Sequence, residues 1–124
     1  MSTINQHLAS LYRQRLLTSN EVNSLLDVRD RWQSYLAVEA SLDVLSGLQY
    51  HVDETAALRT LGGVMRAAGK QIAACDTDTT YGKTEAMIVR TLVNRWVIDG
   101  VAEHLDDEQK YAVLRVMRDN RLAR

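Results

Sequence analysis

The stretch Asp76-Thr77-Asp78-Thr79-Thr80-Tyr81-Gly82-Lys83-Thr84 gathers more groups capable of chemistry than any other part of this chain. Two carboxylates one residue apart could supply a nucleophile and a proton-transfer group. Gly82-Lys83-Thr84 at a helix start could offer free N–H groups and a positive dipole end to an anion. A calcium loop would begin correctly with Asp76, Asp78 and Thr80, but its bidentate acid would fall at Met87. Asp76, Asp78, Tyr81, Lys83 and Thr84 are therefore candidates for an anion- or partner-binding loop. A capped turn is the competing and simpler expectation.

Two short resemblances sit in the same stretch. Asp76-x-Asp78-x-Thr80 resembles the D-x-D-x-T nucleophile motif of haloacid-dehalogenase-type phosphatases, which implies an attacking first aspartate and a proton-handling second. That family sets the motif at the end of a buried parallel strand, and this chain lacks the βα alternation that builds one. Gly82-Lys83-Thr84 is similar to the tail of a phosphate-binding Walker A loop, whose first glycine would stand where this chain has Thr77.

The remaining reactive residues are scattered. His7, His51 and His104 lie far apart and form no H-x-x-x-H or E-x-x-H pair. Cys75 is the lone cysteine, which rules out an intrachain disulfide and points to a reducing compartment. No catalytic residue, metal ligand or cofactor is assigned. The arginines are more regular. Arg115, Arg118, Arg121 and Arg124 recur every three residues and would form a slowly drifting basic stripe on a helix. Such a stripe suits the negative end of a helix dipole, an acidic protein surface, or nucleic-acid phosphates.

The elements that would position these residues are helical throughout. There is no proline in 124 residues, and 46% of them are hydrophobic. Proline costs about 3 kcal/mol in a helix interior, so its absence fits a chain of helices joined by short polar loops. Thr3–Gln6, Thr18–Glu21 and Asp106–Gln109 read as capping boxes. The first helix is predicted to end near Leu17. The second opens at the Thr18–Glu21 box and is predicted to run to about Ser46, with Gly47 stopping it. It carries two apolar stripes, one of Val22, Leu25, Leu26, Trp32 and Leu36, the other of Val28, Tyr35, Val38, Leu42 and Leu45. Two stripes need covering on two sides, which predicts a central helix or a homodimer seam. A third helix opens at Asp53 or Thr55, with Gly62, Gly63 and Gly69 as points of weakness or close crossing. The fourth, from Lys83 or Thr84 to about Leu105, is apolar almost all round from Met87 to Ile98 and should form the core. Arg90, Asn94 and Arg95 are its polar exceptions and need partners. The last helix begins at Asp106, and the tail from Arg118 to Arg124 should fray.

The fold class expected is all-α: one domain over residues 1–124, built as a compact bundle of about five helices. The formal net charge of −1 argues against a generic nucleic-acid grip. No apolar run approaches ~20 residues, so no membrane span is expected. The N-terminus lacks a secretory pattern, so the cytoplasm is the expected location. The function expected is stoichiometric: a small non-enzymatic regulator, adaptor or inhibitor that binds a protein with an acidic surface. The alternatives are a nucleic-acid-binding regulator using the arginine stripe and a phosphate or nucleotide binder using residues 76–84.

Overall fold

Capping chemistry sets where three of the helices begin. Thr18 and Glu21 bond reciprocally, with Thr18 N–H donating to Glu21 Oε1 at 2.9 Å and Glu21 N–H to Thr18 Oγ1 at 3.1 Å. Asp106 and Gln109 do the same at 2.8 and 2.9 Å. The Thr79 hydroxyl accepts from Gly82 N–H at 3.0 Å. Each bond satisfies an N–H left free in the first turn. The computed structural model describes residues 3–39 and 42–122; Arg124 and the side chains of Leu42 and Asp43 lie outside that description. The helices are α1 (Thr3–Arg13), α2 (Ser19–Glu39), α3 (Leu42–Tyr50), α4 (Glu54–Ala74), α5 (Thr80–Arg95) and α6 (Asp107–Asp119). Between α5 and α6 the chain passes through a π-helical turn, Trp96–Val101, and a 3₁₀ turn, Ala102–His104. No strand occurs among the described residues. None of their helices is long and apolar enough to cross a membrane.

The bundle is built around α5. It packs chiefly on α2 and α4, while α3 and α6 pack on α4. One hydrophobic core draws on every helix, from Ile4 and Leu8 through Leu25, Trp32, Leu48, Met65, Ile88 and Val93 to Met117. Gly69 stands where α4 meets the end of α6. A Cβ there would come within 2.8 Å of the Asn120 side chain, so the close crossing expected of a glycine is real at this position. The three glycines nevertheless leave α4 unbroken over 21 residues.

Several boundaries differ from the expected ones. The α-helix α1 ends at Arg13, and the chain turns before Leu17, which is buried. Where one helix to Ser46 is expected, the described residues hold α2 and α3, and α3 continues through Gly47 to Tyr50. This gives six α-helices among the described residues. The second apolar stripe is divided between core and surface. Val28 joins the core from α2, Leu45 packs on the core from α3, and Tyr35 and Val38 are left exposed. The helix α5 begins at Thr80, because the Thr79 cap lies earlier than the sequence pattern suggests. Ile98, expected in the core, is 68% exposed. It lies on the side of α5 that α6 leaves open, since α6 packs on α4 instead.

The C-terminal tail is also different. It does not fray at Arg118. Leu122 N–H donates to Met117 O at 2.8 Å and Arg121 N–H to Arg118 O at 3.2 Å, with Arg121 in the left-handed region at φ 62°. These are the two bonds of a Schellman cap, with the buried Leu122 and Met117 as its apolar pair. The polar residues of α5 hold this tail. Arg90 Nε donates to Arg121 O at 2.9 Å, and Asn94 Nδ2 to Leu122 O at 2.7 Å. Arg95 donates to the Thr3 hydroxyl. The three polar exceptions thus fasten both ends of the chain to the central helix.

Trp96 opens the π-helical turn with its ring buried, and its Nε1 has no hydrogen-bond partner among the described residues. Truncation of Trp96 to alanine is expected to cost about 3–5 kcal/mol. An unpartnered buried donor itself costs about 1–3 kcal/mol, which Trp96→Phe removes while keeping most of the ring. Urea denaturation should therefore place Trp96→Phe within about 1 kcal/mol of the original protein and Trp96→Ala far below it.

Candidate functional site

The helix α6 carries the predicted arginine stripe, but only in part. Arg115 and Arg118 are exposed on the helix. Arg121 is exposed but has left the helical path, and its carbonyl is held by Arg90. Arg124 lies outside the described residues. A four-residue helical stripe therefore does not form. Arg118 instead stands one turn beyond Leu114, which is 50% exposed at the edge of a groove.

That groove runs between α5 and α6 and encloses about 480 Å³. Met87 and Thr91 line it from α5, Val97 and Ile98 from the π-helical turn, and Leu114 and Met117 from α6. Arg90, Asn94 and Arg95 line it as well. The floor is thus mainly apolar, and Ile98 and Leu114 stand exposed at its mouth. Arg90 and Arg95 supply two guanidinium groups to the lining, and Arg118 follows the lining residue Leu114 by one helical turn. Arg90 and Arg95 are half-buried and hydrogen-bonded to Arg121 O and the Thr3 hydroxyl. Among the described residues, none of Arg90, Arg95, Arg115 and Arg118 forms an ion pair with a carboxylate. A groove of this kind matches an apolar side chain flanked by acids. Sequence reasoning placed the arginines but not the groove, because nothing local reveals that α6 packs away from α5.

The loop at residues 76–84 is closed on itself. Asp78 N–H donates to Asp76 Oδ1 at 3.0 Å, and the Thr79 hydroxyl to Asp76 O at 2.9 Å. A Cβ on Gly82 would lie 1.9 Å from Asp76 O, so only glycine lets the turn close this tightly. The Thr84 hydroxyl is buried and donates to Thr80 O at 2.7 Å. Asp76, Asp78 and Lys83 are exposed, whereas Thr84 is buried. Tyr81 lines a neighbouring cleft with Ser24, Asp27, Asp30, Arg31, Gln71 and Glu85. Three carboxylates in that lining disfavour phosphate.

Cys75 belongs to a polar chain beside that cleft. Its sulfur is 3.2 Å from Glu85 Oε2, and Gln71 links Glu85 to the Trp32 indole, with bonds of 3.3 and 2.8 Å. Burial and then the adjacent Glu85 push the Cys75 thiol up to about 12. It is a hydrogen-bond donor here, not a nucleophile.

A second polar cluster pairs His51 with Glu54, an H-x-x-E spacing present in the sequence, and adds Asp106 and Gln109 from far along the chain. His51 Nδ1 lies 2.6 Å from Glu54 Oε2, and Nε2 lies 3.6 Å from Asp106 Oδ2. Gln109 Nε2 donates to Glu54 Oε1 at 2.9 Å and to Leu48 O at 3.3 Å. The cluster joins the α3–α4 junction to the start of α6. His51 and Asp53 both have left-handed backbones, at φ 55° and 51°. The hydrogen bond to Glu54, then its charge, raises the His51 pKa. The bond from Gln109, then that from His51, lowers the Glu54 pKa.

Comparison with known proteins finds no matching family model, no matching curated protein and no matching solved structure.

The shifts give a pH prediction. A raised His51 pKa contributes stability that is full below its ordinary 6.5 and is lost as pH rises through the folded value. Stability should therefore decline with rising pH from 6.5 upward in the original protein, and this part of the decline should vanish in His51→Asn, since Asn tolerates the left-handed backbone. Denaturation midpoints across that pH range check it. Separately, Cys75 should react with a thiol reagent at pH 8 at least about tenfold more slowly in the native protein than in urea-unfolded chain.

Proposed function

We propose that this protein is a non-enzymatic helical adaptor, regulator or inhibitor that acts by binding an acidic amphipathic segment of another protein along the α5–α6 groove. One observation carries the reading. An open apolar floor is flanked by arginines that no carboxylate of the described residues neutralises. A free arginine fork beside apolar surface is a strong recognition element for a carboxylate, because its paired N–H groups match the two oxygens. Apolar residues on one face of the partner would meet Ile98, Met87 and Leu114. Acidic residues beside them would meet Arg118 and the free edges of Arg90 and Arg95. This is helix-in-groove recognition, with affinity from the apolar contacts and selectivity from the charges. The lone, unreactive Cys75 fits a reducing compartment such as the cytoplasm.

Affinity capture from the source cells, with the captured protein then purified and titrated, tests the proposal. Ile98→Asp and Arg118→Glu should each weaken its binding by tenfold or more, about 1.4 kcal/mol, while circular dichroism stays unchanged. Replacing Arg115 and Arg121 with alanine should matter less, because Arg115 is turned about 100° from Leu114 around α6 and Arg121 has left the helical path, whereas Arg118 follows Leu114 by one turn. Equal binding by the Ile98 and Arg118 variants would remove the groove from the reading. Capture of nucleic acid with a steep salt dependence would replace it with phosphate recognition.

A further inference from the structure

The outer face of α6, opposite its core contacts, has a pattern of its own. Asp107, Tyr111, Leu114 and Arg118 follow one another at steps of four, three and four residues. That is the spacing of a coiled-coil seam. The buried residues Gln109, Val113 and Met117 lie on another side of the helix, so among the described residues no helix covers this seam. Tyr111 is 67% exposed and Leu114 50%, while Asp107 and Arg118 are exposed at either end. Glu108 and Arg115 flank the seam along one side, and both are exposed.

We propose that a second copy of this chain covers this face, with the two α6 helices packed antiparallel about a two-fold axis near Ala112 and Val113. In that arrangement Asp107 meets the partner's Arg118, and Tyr111 meets the partner's Leu114. Glu108 meets the partner's Arg115 along the flank. Every contact occurs twice, as an isologous interface requires. The acid-first, base-last order alone would follow from the helix dipole. The dipole does not call for a tyrosine and a leucine in the middle of an exposed face. A parallel pairing would set Asp107 on Asp107 and Arg118 on Arg118, so the charges select the antiparallel register. A single 13-residue helix buries less than the ~1,200 Å² of a standard interface, so the dimer is weak and depends on concentration. The pairing does not rest on the proposed partner. Where that reading holds, self-pairing hides Arg118 and competes with capture.

Sedimentation velocity on the purified full chain, from micromolar to millimolar concentration, tests the proposal. The original protein should form a reversible dimer. Asp107→Arg and Arg118→Asp should each weaken it at least about tenfold, because each variant places like charges at both ends of the seam. An equimolar mixture of the two variants should restore the dimer, since each then supplies the charge the other lacks. Both changes act on the helix dipole, so circular dichroism accompanies each measurement. Tyr111→Ser leaves every charge in place and should also weaken the dimer. A monomer at millimolar concentration would overturn the proposal, as would a dimer indifferent to Arg118→Asp and Tyr111→Ser. So would a mixture of folded variants that stays monomeric. Each of these results concerns pure protein and leaves the reading of the groove as an independent question.

Discussion

Ile88, Val89 and Val93 on α5 have no exposed surface, and covering them is the constraint to which the other helices answer. Helices α2 and α4 cover most of α5 through Leu25, Val28, Leu61, Met65 and their neighbours. Burial of this kind is non-directional, so on its own it would hold the ends of the chain loosely. Direction comes from the polar residues on the margin of α5. Asn94 bonds to Leu122 O and Arg90 to Arg121 O. Arg95 does the same for the Thr3 hydroxyl at the other end. Unmade bonds of this sort are costly inside a protein, so these residues specify where the ends must lie. The result leaves one side of α5 only half-covered, because the tail straps across part of it and α6 packs on α4. The groove is a consequence of that geometry.

The parts of this structure that are set locally were legible in the sequence. The Thr18–Glu21 and Asp106–Gln109 boxes form because each needs only four consecutive residues and a helical path. The dominance of α5 was legible for a similar reason, since its apolar residues cover most of its circumference. The run of α3 through Gly47 to Tyr50 was not, because glycine alone reads as a stop, and its place there is set by the close approach of Val52 O, 2.6 Å from where a Cβ would stand. The buried tail was missed because Arg118-Asp119-Asn120-Arg121 is polar, and the anchoring of Leu122 depends on residues 28 and 31 positions away. The four arginines were visible. What the sequence could not reveal is that Arg121 adopts a left-handed backbone, because that conformation is stabilised by tertiary bonds rather than by its own preference.

Non-glycine residues in the left-handed region end three of the helices. Arg15, His51 and Arg121 stand just past α1, α3 and α6, each where glycine is the common choice. The same pair of reversed bonds closes α1 and α6. A left-handed backbone costs an ordinary residue roughly 1–2 kcal/mol. At Arg121 the burial of Leu122 and the bond from Arg90 offset this cost. At His51 the contacts to Glu54 and Asp106 do so, and these contacts titrate. The α3–α4 junction therefore combines an unfavourable backbone with bonds sensitive to protonation, whereas the α6 end is held by the burial of Leu122 and by bonds to its backbone carbonyls.

The helix α6 brings these themes together, because three of its faces answer to different demands. Val113 and Met117 belong to the core, and their burial fixes the rotation of the helix about its axis. Once that rotation is fixed, Leu114 must stand at the edge of the groove, and Tyr111 and Arg118 must face away from the core. A helix needed only to close the bundle could carry polar residues at all of these positions, and the stability of its ends would be served by Asp107, Glu108 and Arg118 alone. The exposed leucine and tyrosine lower the solubility of an otherwise polar face without contributing to the core. Isolated apolar residues on a surface need no explanation. Two of them at seam spacing, bounded at one end by acids and at the other by arginines, form an ordered surface. Its order is self-complementary when reversed end to end. The same residues are only partly suited to the groove, which Leu114 lines and Tyr111, Asp107 and Glu108 do not. The two surfaces therefore overlap without being the same surface, and substitutions at Ile98 and Tyr111 act on one without the other.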